Sequence, residues 1–326
     1  MDLCYEALNG SCWKYTRPSS VQVPMLITMT LTTFVTIIGN LVIISIGHFK
    51  QLHMNMPTNQ LILSLALCDF LLGLFVMPLS AVHSWQGCWY FGDFMCKIHT
   101  CIDINLSTAS IFHLVCVCRP LKYHSCIGLP TVPFMISISW LIPAVFTYTM
   151  TFCELNLLGA RGFYETHVYC AGGCHVLFSH GSAVIASMIS FYVPGLIIIG
   201  IYYRIYMVAR NQARSINLLF NQLRRVYPSR DAQHRARRAT ITVAIMVGVF
   251  LFCWTPFFLR NIMDPFIGYT IPSVVIDALV WFGYVNSTLN PFIYALYPYS
   301  WFRKAVRLII NEKIFQNNSS RKRLYP

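Results

Sequence analysis

Apolar residues run along this chain in seven long stretches, at about 24–47, 58–82, 95–118, 132–152, 178–207, 238–262 and 271–297, parted by polar segments. Each is long enough to cross ~30 Å of hydrocarbon, which takes ~20 helical residues. Lipid offers no hydrogen bonds to the backbone, so the stretches are expected to be helices. Pro78, Pro143, Pro194, Pro256 and Pro291 fall inside them. An interior proline costs ~3 kcal/mol or more in a soluble helix, and a membrane bundle absorbs it as a kink. The expected fold class is therefore all-α membrane: a seven-transmembrane helix bundle at 24–297, with an extracellular N-terminus at 1–23 and a cytoplasmic tail at 298–326.

Lysine and arginine set the orientation. With the N-terminus outside, one side holds Lys50, Arg119, Lys122, the nine arginines from Arg204 to Arg238, and seven basic residues from Arg303 to Arg323. The other side holds Lys14, Arg17, Lys97, Arg161 and Arg260. The excess predicts N-out and C-in. After the seventh stretch, apolar residues at 302, 305, 306, 309 and 310 share one helical face, with Arg303 and Arg307 on another. This reads as a short amphipathic helix on the inner leaflet, with a solvated tail as the alternative.

Composition agrees with a lipid-embedded chain. The 326 residues are 56% hydrophobic and 11% charged, against roughly 25% charged in soluble domains. The net charge of +13 lies in the loops between apolar stretches, which argues against a nucleic-acid partner. No apolar leader precedes Arg17-Pro18-Ser19-Ser20, so the first stretch is expected to direct insertion. The 13 cysteines form no CxxC pair, which speaks against zinc. Asn9-Gly10-Ser11 is a glycosylation sequon on the outer side, or a chance triplet. Asn286-Ser287-Thr288 also matches but lies inside the seventh stretch.

The chemistry concentrates on two acids at membrane depth, Asp69 and Asp103. An acid at a helix centre costs about 2.5–3.5 kcal/mol on insertion scales, and no Lys or Arg lies at matching depth in another stretch. Either a mobile cation completes each site, or each acid is protonated or bonded to hydroxyls and amides. Asp103 lies two turns from Cys96, with His99 and Ser107 one turn to either side. A primary amine, with a pKa near ~10.4 by analogy with lysine, would pair with it through a charge-assisted hydrogen bond. Trp254, Phe257, Phe258, Trp281 and Tyr284 offer aromatic faces, either for cation–π contact or for plain packing. Ser187 and Ser190 share a face of the fifth stretch, where they would meet a ligand ring or bond their own helix.

Several motifs identify a family. Gly39-Asn40, Leu65-Ala66-Leu67-Cys68-Asp69, Trp140, Cys253-Trp254-Thr255-Pro256-Phe257-Phe258 and Asn286-Ser287-Thr288-Leu289-Asn290-Pro291-Phe292-Ile293-Tyr294 resemble the rhodopsin-class G-protein-coupled receptors, and among them the trace amine-associated receptors. The resemblance covers nearly the whole chain. It implies a plasma-membrane receptor, not an enzyme, that binds a small amine and couples to a stimulatory heterotrimeric G protein and cyclic AMP. It implies that Asp103 is the amine counter-ion, Tyr284 its neighbour and Trp254 an aromatic switch, with Ile104 beside them in the pocket. Asp69, Ser110, Asn286, Ser287 and Asn290 would form an allosteric sodium site; no other cofactor is expected. Cys96 would bond to Cys174, and Cys170 to Cys4 or Cys12, in an oxidising setting.

The chain departs from the family at the inner end of the third stretch. Ile111-Phe112-His113-Leu114-Val115-Cys116-Val117-Cys118 passes directly into Arg119-Pro120-Leu121-Lys122-Tyr123. About eight or nine residues, including the family's Asp-Arg-Tyr triplet, are absent, which removes ~12 Å of helix at 1.5 Å per residue. The acid expected at the inner end of the sixth stretch is replaced by Ala236. Two expectations follow: a working amine receptor, or a signalling-impaired or non-functional product that either binds amine without signalling or misfolds and stays in the endoplasmic reticulum. An amine transporter is a further rival, but the internal repeats and paired broken helices of transporters are not evident.

Overall fold

The computed structural model describes residues 2–14, 17–49, 57–118, 131–204, 207 and 230–296. The junction at 119–123, the amphipathic stretch at 302–310 and most of the basic residues that set the orientation lie outside these residues. The described residues form seven long helices. Helix α1 spans Ser19–Phe49. Helix α2 runs from Pro57–Leu71 through a π turn at Leu72–Val76 into Met77–Gln86. Helices α3 and α4 span Gly92–Cys118 and Thr131–Phe152. Helix α5 covers His180–Arg204, with a π turn at Met188–Tyr192. Helices α6 and α7 span Arg230–Phe266 and Ser273–Leu296. Among the described residues there is no strand, only isolated bridges at Leu3–Trp13 and Ser11–Ala171.

The π turns of α2 and α5 each lie just before a proline. Pro78 and Pro194 have no N–H, so the carbonyls four residues earlier, at Leu74 and Ser190, lose their helical donor. Each of these residues lies in its wide turn. Pro143, Pro256 and Pro291 sit in uninterrupted helix.

Helix ends differ from the hydropathy boundaries where polar groups are satisfied. Helix α1 begins at Ser19, several residues before the expected 24, and carries Pro24. Helix α6 continues past 262 to Phe266 because Arg260 pairs with Asp264 one turn on. It stops where Gly268 and Tyr269 take positive φ values of 73° and 58°. At the end of α2, Gly87 in the left-handed region returns its N–H to His83 O.

Among the described residues, six helices are long and apolar enough to cross a membrane by composition, and α7 is not among them. Its inward face explains this. Tyr284, Asn286, Ser287 and Asn290 are all buried, so α7 uses polar side chains to pack within the bundle. Around the bundle the usual pattern is reversed. Phe34, Phe134, Val145, Leu196 and Phe252 are exposed, as a surface solvated by lipid tails requires. The core gathers between α2 and α3, where Leu61, Leu65, Ala66, Ala109 and Ile111 are fully buried. There Trp140 Nε1 donates to Ser64 Oγ at 3.0 Å, and Ser64 Oγ lies 2.8 Å from His113 Nε2.

Candidate ligand-binding site

A cleft of about 650 Å³, part of it open to solvent, lies between α3, α4, α5, α6 and α7. Helix α3 contributes Asp103, Ile104, Ser107 and Thr108, and α5 contributes Ala186 and Ser190. Helix α6 adds Trp254, Phe257, Phe258 and Asn261, and α7 adds Val280. The walls of the cleft are mostly aromatic and aliphatic, and Asp103 is the one carboxylate among them.

Two hydroxyls face the carboxylate of Asp103. Tyr284 Oη donates to Oδ2 at 2.8 Å and Ser107 Oγ donates to Oδ1 at 3.3 Å. Among the described residues, Asp103 takes part in no ion pair. Tyr284 is fully buried, and its Oη also lies 3.4 Å from Ser80 Oγ, which is 3.2 Å from His99 Nε2. A polar chain thus runs from the carboxylate across α7 and α2 back to α3. The carboxylate keeps lone pairs for a cationic donor.

The aromatic floor is built by α6. Trp254 stands edge-on to Phe257 at 5.7 Å and lies 6.1 Å from Phe258, which stacks on Phe191 at 4.6 Å. Helix α7 meets this floor at Gly283, where a Cβ would fall 2.7–2.8 Å from three ring carbons of Trp254. Only glycine allows that approach.

Not every expected residue lines the cleft. Ser187 is fully buried and accepts a hydrogen bond from Asn261 Nδ2 at 3.0 Å; Asn261 lines the wall instead. Trp281 packs edge-on against Tyr284 at 5.4 Å and supports it from behind. Conversely, Phe146, Thr147, Met150 and Thr151 of α4 line the cleft, as does Phe178; the sequence reading had singled out none of them.

Phe178 is held over the cleft by the segment before α5. Asn156 Nδ2 donates to Leu177 O, Ser182 Oγ donates to Asn156 O, and Tyr269 Oη donates to Phe178 O. Ser179 caps α5 by accepting from Ser182 N. The disulfide Cys96–Cys174 ties this segment to α3. Cys12 bonds to Cys170, and Cys4 bonds to Cys88, a partner the sequence reading had not named. Arg17 closes the N-terminal end, with its guanidinium 3.0 Å from Asp277 of α7 and donating to Ser84 O at 2.6 Å. Asn9 is exposed in the turn that follows the first cysteine.

A second polar centre lies deeper. Asp69 is fully buried and accepts from Ser287 Oγ at 2.7 Å, Ser110 Oγ at 3.3 Å and Asn290 Nδ2 at 2.7 Å. Asn286 is also buried, but its Oδ1 has no partner. Asn40 Nδ2 ties α1 to α7 through Ser287 O at 3.2 Å. The expected residues therefore come together, except that Asn286 does not bond Asp69.

Residues 39–294 match the 7 transmembrane receptor (rhodopsin family) model. The chain is similar to Trace amine-associated receptor 1 of Macaca mulatta, 50% identical over 336 positions covering 100% of this chain and 98% of that protein. It is 48% identical to Trace amine-associated receptor 1 of Mus musculus, over 100% of both chains. It is 45% identical to Trace amine-associated receptor 4 of Rattus norvegicus, over 99% of this chain and 95% of the other. The macaque alignment spans 336 positions and this chain has 326 residues, so the relative carries residues that this chain lacks. The chain belongs to the rhodopsin family of seven-transmembrane receptors and, within it, to the trace amine-associated receptors, as a multi-pass protein of the plasma membrane and not an enzyme.

Proposed function

We propose that this chain is a receptor for small protonated amines, with the ammonium group held by Asp103. The observation that carries the reading is a carboxylate in an aromatic cleft whose hydrogen-bond donors among the described residues are two neutral hydroxyls, from Tyr284 and Ser107. Such a carboxylate is incompletely neutralised, and an ammonium supplies both charge and donors. Trp254, Phe257 and Phe258 present ring faces or edges to the same space, where cation–π contact adds roughly 0.5–2 kcal/mol. The relatives' names support an amine ligand.

With the N-terminus outside, the cleft opens outward and the ligand shifts the population of bundle states, as in a two-state receptor. Coupling to a stimulatory G protein and cyclic AMP is the reading that fits the family. Asp69 is suited to a sodium ion that biases the same equilibrium. Its carboxylate and the hydroxyl oxygens of Ser110 and Ser287 form a buried oxygen cluster, and the unpartnered Asn286 Oδ1 lies in the same region of α7. The Asn290 amide points its Nδ2 at Asp69 and so would not ligate an ion in this arrangement. Loss of sodium-dependent amine affinity in Asp69→Asn tests this site.

A second reading is favoured by the direct passage from Cys118 to Arg119. The amine site is whole while the G-protein surface lacks the family's triplet, so amine binds without a signal. Cyclic AMP measured in cells, with surface protein quantified alongside, separates the readings. A dose-dependent rise on phenethylamine, abolished by Asp103→Ala, supports a signalling receptor. Amine binding at normal surface level with a flat cyclic AMP trace supports the uncoupled product. Absence of amine binding at normal surface level refutes both.

A further inference from the structure

We infer that Thr147 of α4 forms a second polar contact point in the cleft, one that accepts an oxygen substituent on the ring of an aryl amine. The inference rests on the amine reading above and adds a ligand contact on a helix to which that reading assigns none.

Six other helical threonines set the expectation. Thr28, Thr32, Thr33, Thr36, Thr255 and Thr288 each donate to the carbonyl four residues earlier. That bond is the ordinary fate of a threonine hydroxyl in a membrane helix. Thr147 does not follow it. Its Oγ1 is buried with no hydrogen-bond partner among the described residues, and the residue is 2% exposed. It also lines the cleft. A buried hydroxyl without a partner is rare in native structures, and each case needs an explanation such as a ligand or an ion. Here the explanation is at hand, because the cavity it borders is the one that contains Asp103.

The neighbourhood suits a ring substituent better than a second charge. Phe146 and Met150 flank Thr147 on the same wall. They present apolar surface to a ring, while the hydroxyl can donate to a phenol or a carbonyl and accept from a phenol. Thr108 of α3 and Thr151 of α4 also line the cleft and add further hydroxyls. This contact is separate from α5, where Ser187 is already engaged by Asn261.

The test uses the full chain in membranes, with phenethylamine and its 3-hydroxy and 4-hydroxy derivatives as probes. Thr147→Val keeps the branched shape and removes the hydroxyl; Thr147→Ala and Thr147→Ser are read beside it. The inference expects Val and Ala to weaken at least one hydroxylated probe by about fivefold or more, the effect of one ordinary hydrogen bond. Phenethylamine itself should hold its affinity, which also shows that the variants fold, and Ser should restore most of the loss. Equal effects on all three amines, including no effect, overturn the inference while leaving amine binding intact. If none of the three binds the unmodified chain, the amine reading fails and the inference falls with it.

Discussion

Adding a single methyl group at Gly283 should push Trp254 out of position. In Gly283→Ala the new Cβ would lie 2.7–2.8 Å from three carbons of the Trp254 ring. Carbon atoms rest best at about 3.5–4.0 Å, so ring or helix must move by roughly 0.7–1.3 Å. The ring cannot retreat freely. Trp254 is buried, with Phe257 and Phe258 at 5.7 and 6.1 Å and Phe250 at 6.4 Å. Overpacking of this kind costs about 1–3 kcal/mol. The expected outcome is a thermal midpoint lower by a few degrees. Because the displaced ring lines the cleft, amine affinity should also fall by about tenfold, equivalent to ~1.4 kcal/mol. Gly248→Ala is the control: its Cβ would meet nothing within 4 Å and the site is exposed, so neither quantity should fall. Thermal unfolding of the purified chain, with and without phenethylamine, reads both effects. A Gly283→Ala protein with unchanged midpoint and unchanged affinity would refute the packing argument.

Other perturbations have equally definite outcomes. Asp69→Ala leaves the side-chain donors of Ser110, Ser287 and Asn290 without their acceptor; at about 1–3 kcal/mol per unmet buried group, surface expression should fall sharply, and wild-type expression would contradict the network. Non-reducing peptide mapping should recover Cys4–Cys88, Cys12–Cys170 and Cys96–Cys174, and a Cys4–Cys170 peptide would contradict the arrangement. Glu154 is held below the usual carboxylate range by its hydrogen bond from Lys97 and by the charge of Arg161. Its contribution is therefore present above the unfolded pKa near ~4.3 and lost as pH falls through the lower folded value. At a partly exposed site it is worth no more than about 1 kcal/mol, so the midpoint difference between Glu154→Gln and the parent should be small at pH 6 and vanish towards pH 3.

How much of this was legible in the sequence depends on what each residue type costs where it sits. Asp103 was legible because an acid in an apolar stretch is expensive, and the structure gives it Tyr284 as a donor. The order of seven helices was legible from length and hydropathy alone. The α4 wall was not. Thr147 and Met150 line the cleft, while Phe134, Leu141 and Val145 of the same helix are exposed on the outside. The inward face differs from the outer one only by the small hydroxyls of Ser139, Thr147 and Thr151 among apolar residues, a weak signal beside an acid in an apolar stretch. The Cys88 pairing was equally hidden, since connectivity among loop cysteines depends on tertiary placement. Asp264 sits near a helix end one turn from Arg260 and so lacks the isolation that made Asp69 and Asp103 conspicuous, while the pairing of Asp277 with the distant Arg17 depends on tertiary placement. The π turns in α2 and α5 lie just before Pro78 and Pro194, but nothing local separates these prolines from Pro143, which leaves α4 a regular helix.

The central claim is that Asp103 selects a protonated amine. The most direct measurement compares binding of phenethylamine with binding of 2-phenylethanol, its neutral counterpart, to the full chain and to Asp103→Asn. The account predicts that the parent chain prefers the amine by at least about a hundredfold, the coupling of a well-placed charge pair at ~2.8 kcal/mol, and that Asp103→Asn abolishes the preference. Equal affinity for both compounds in the parent chain, or a preference that survives Asp103→Asn, would contradict it.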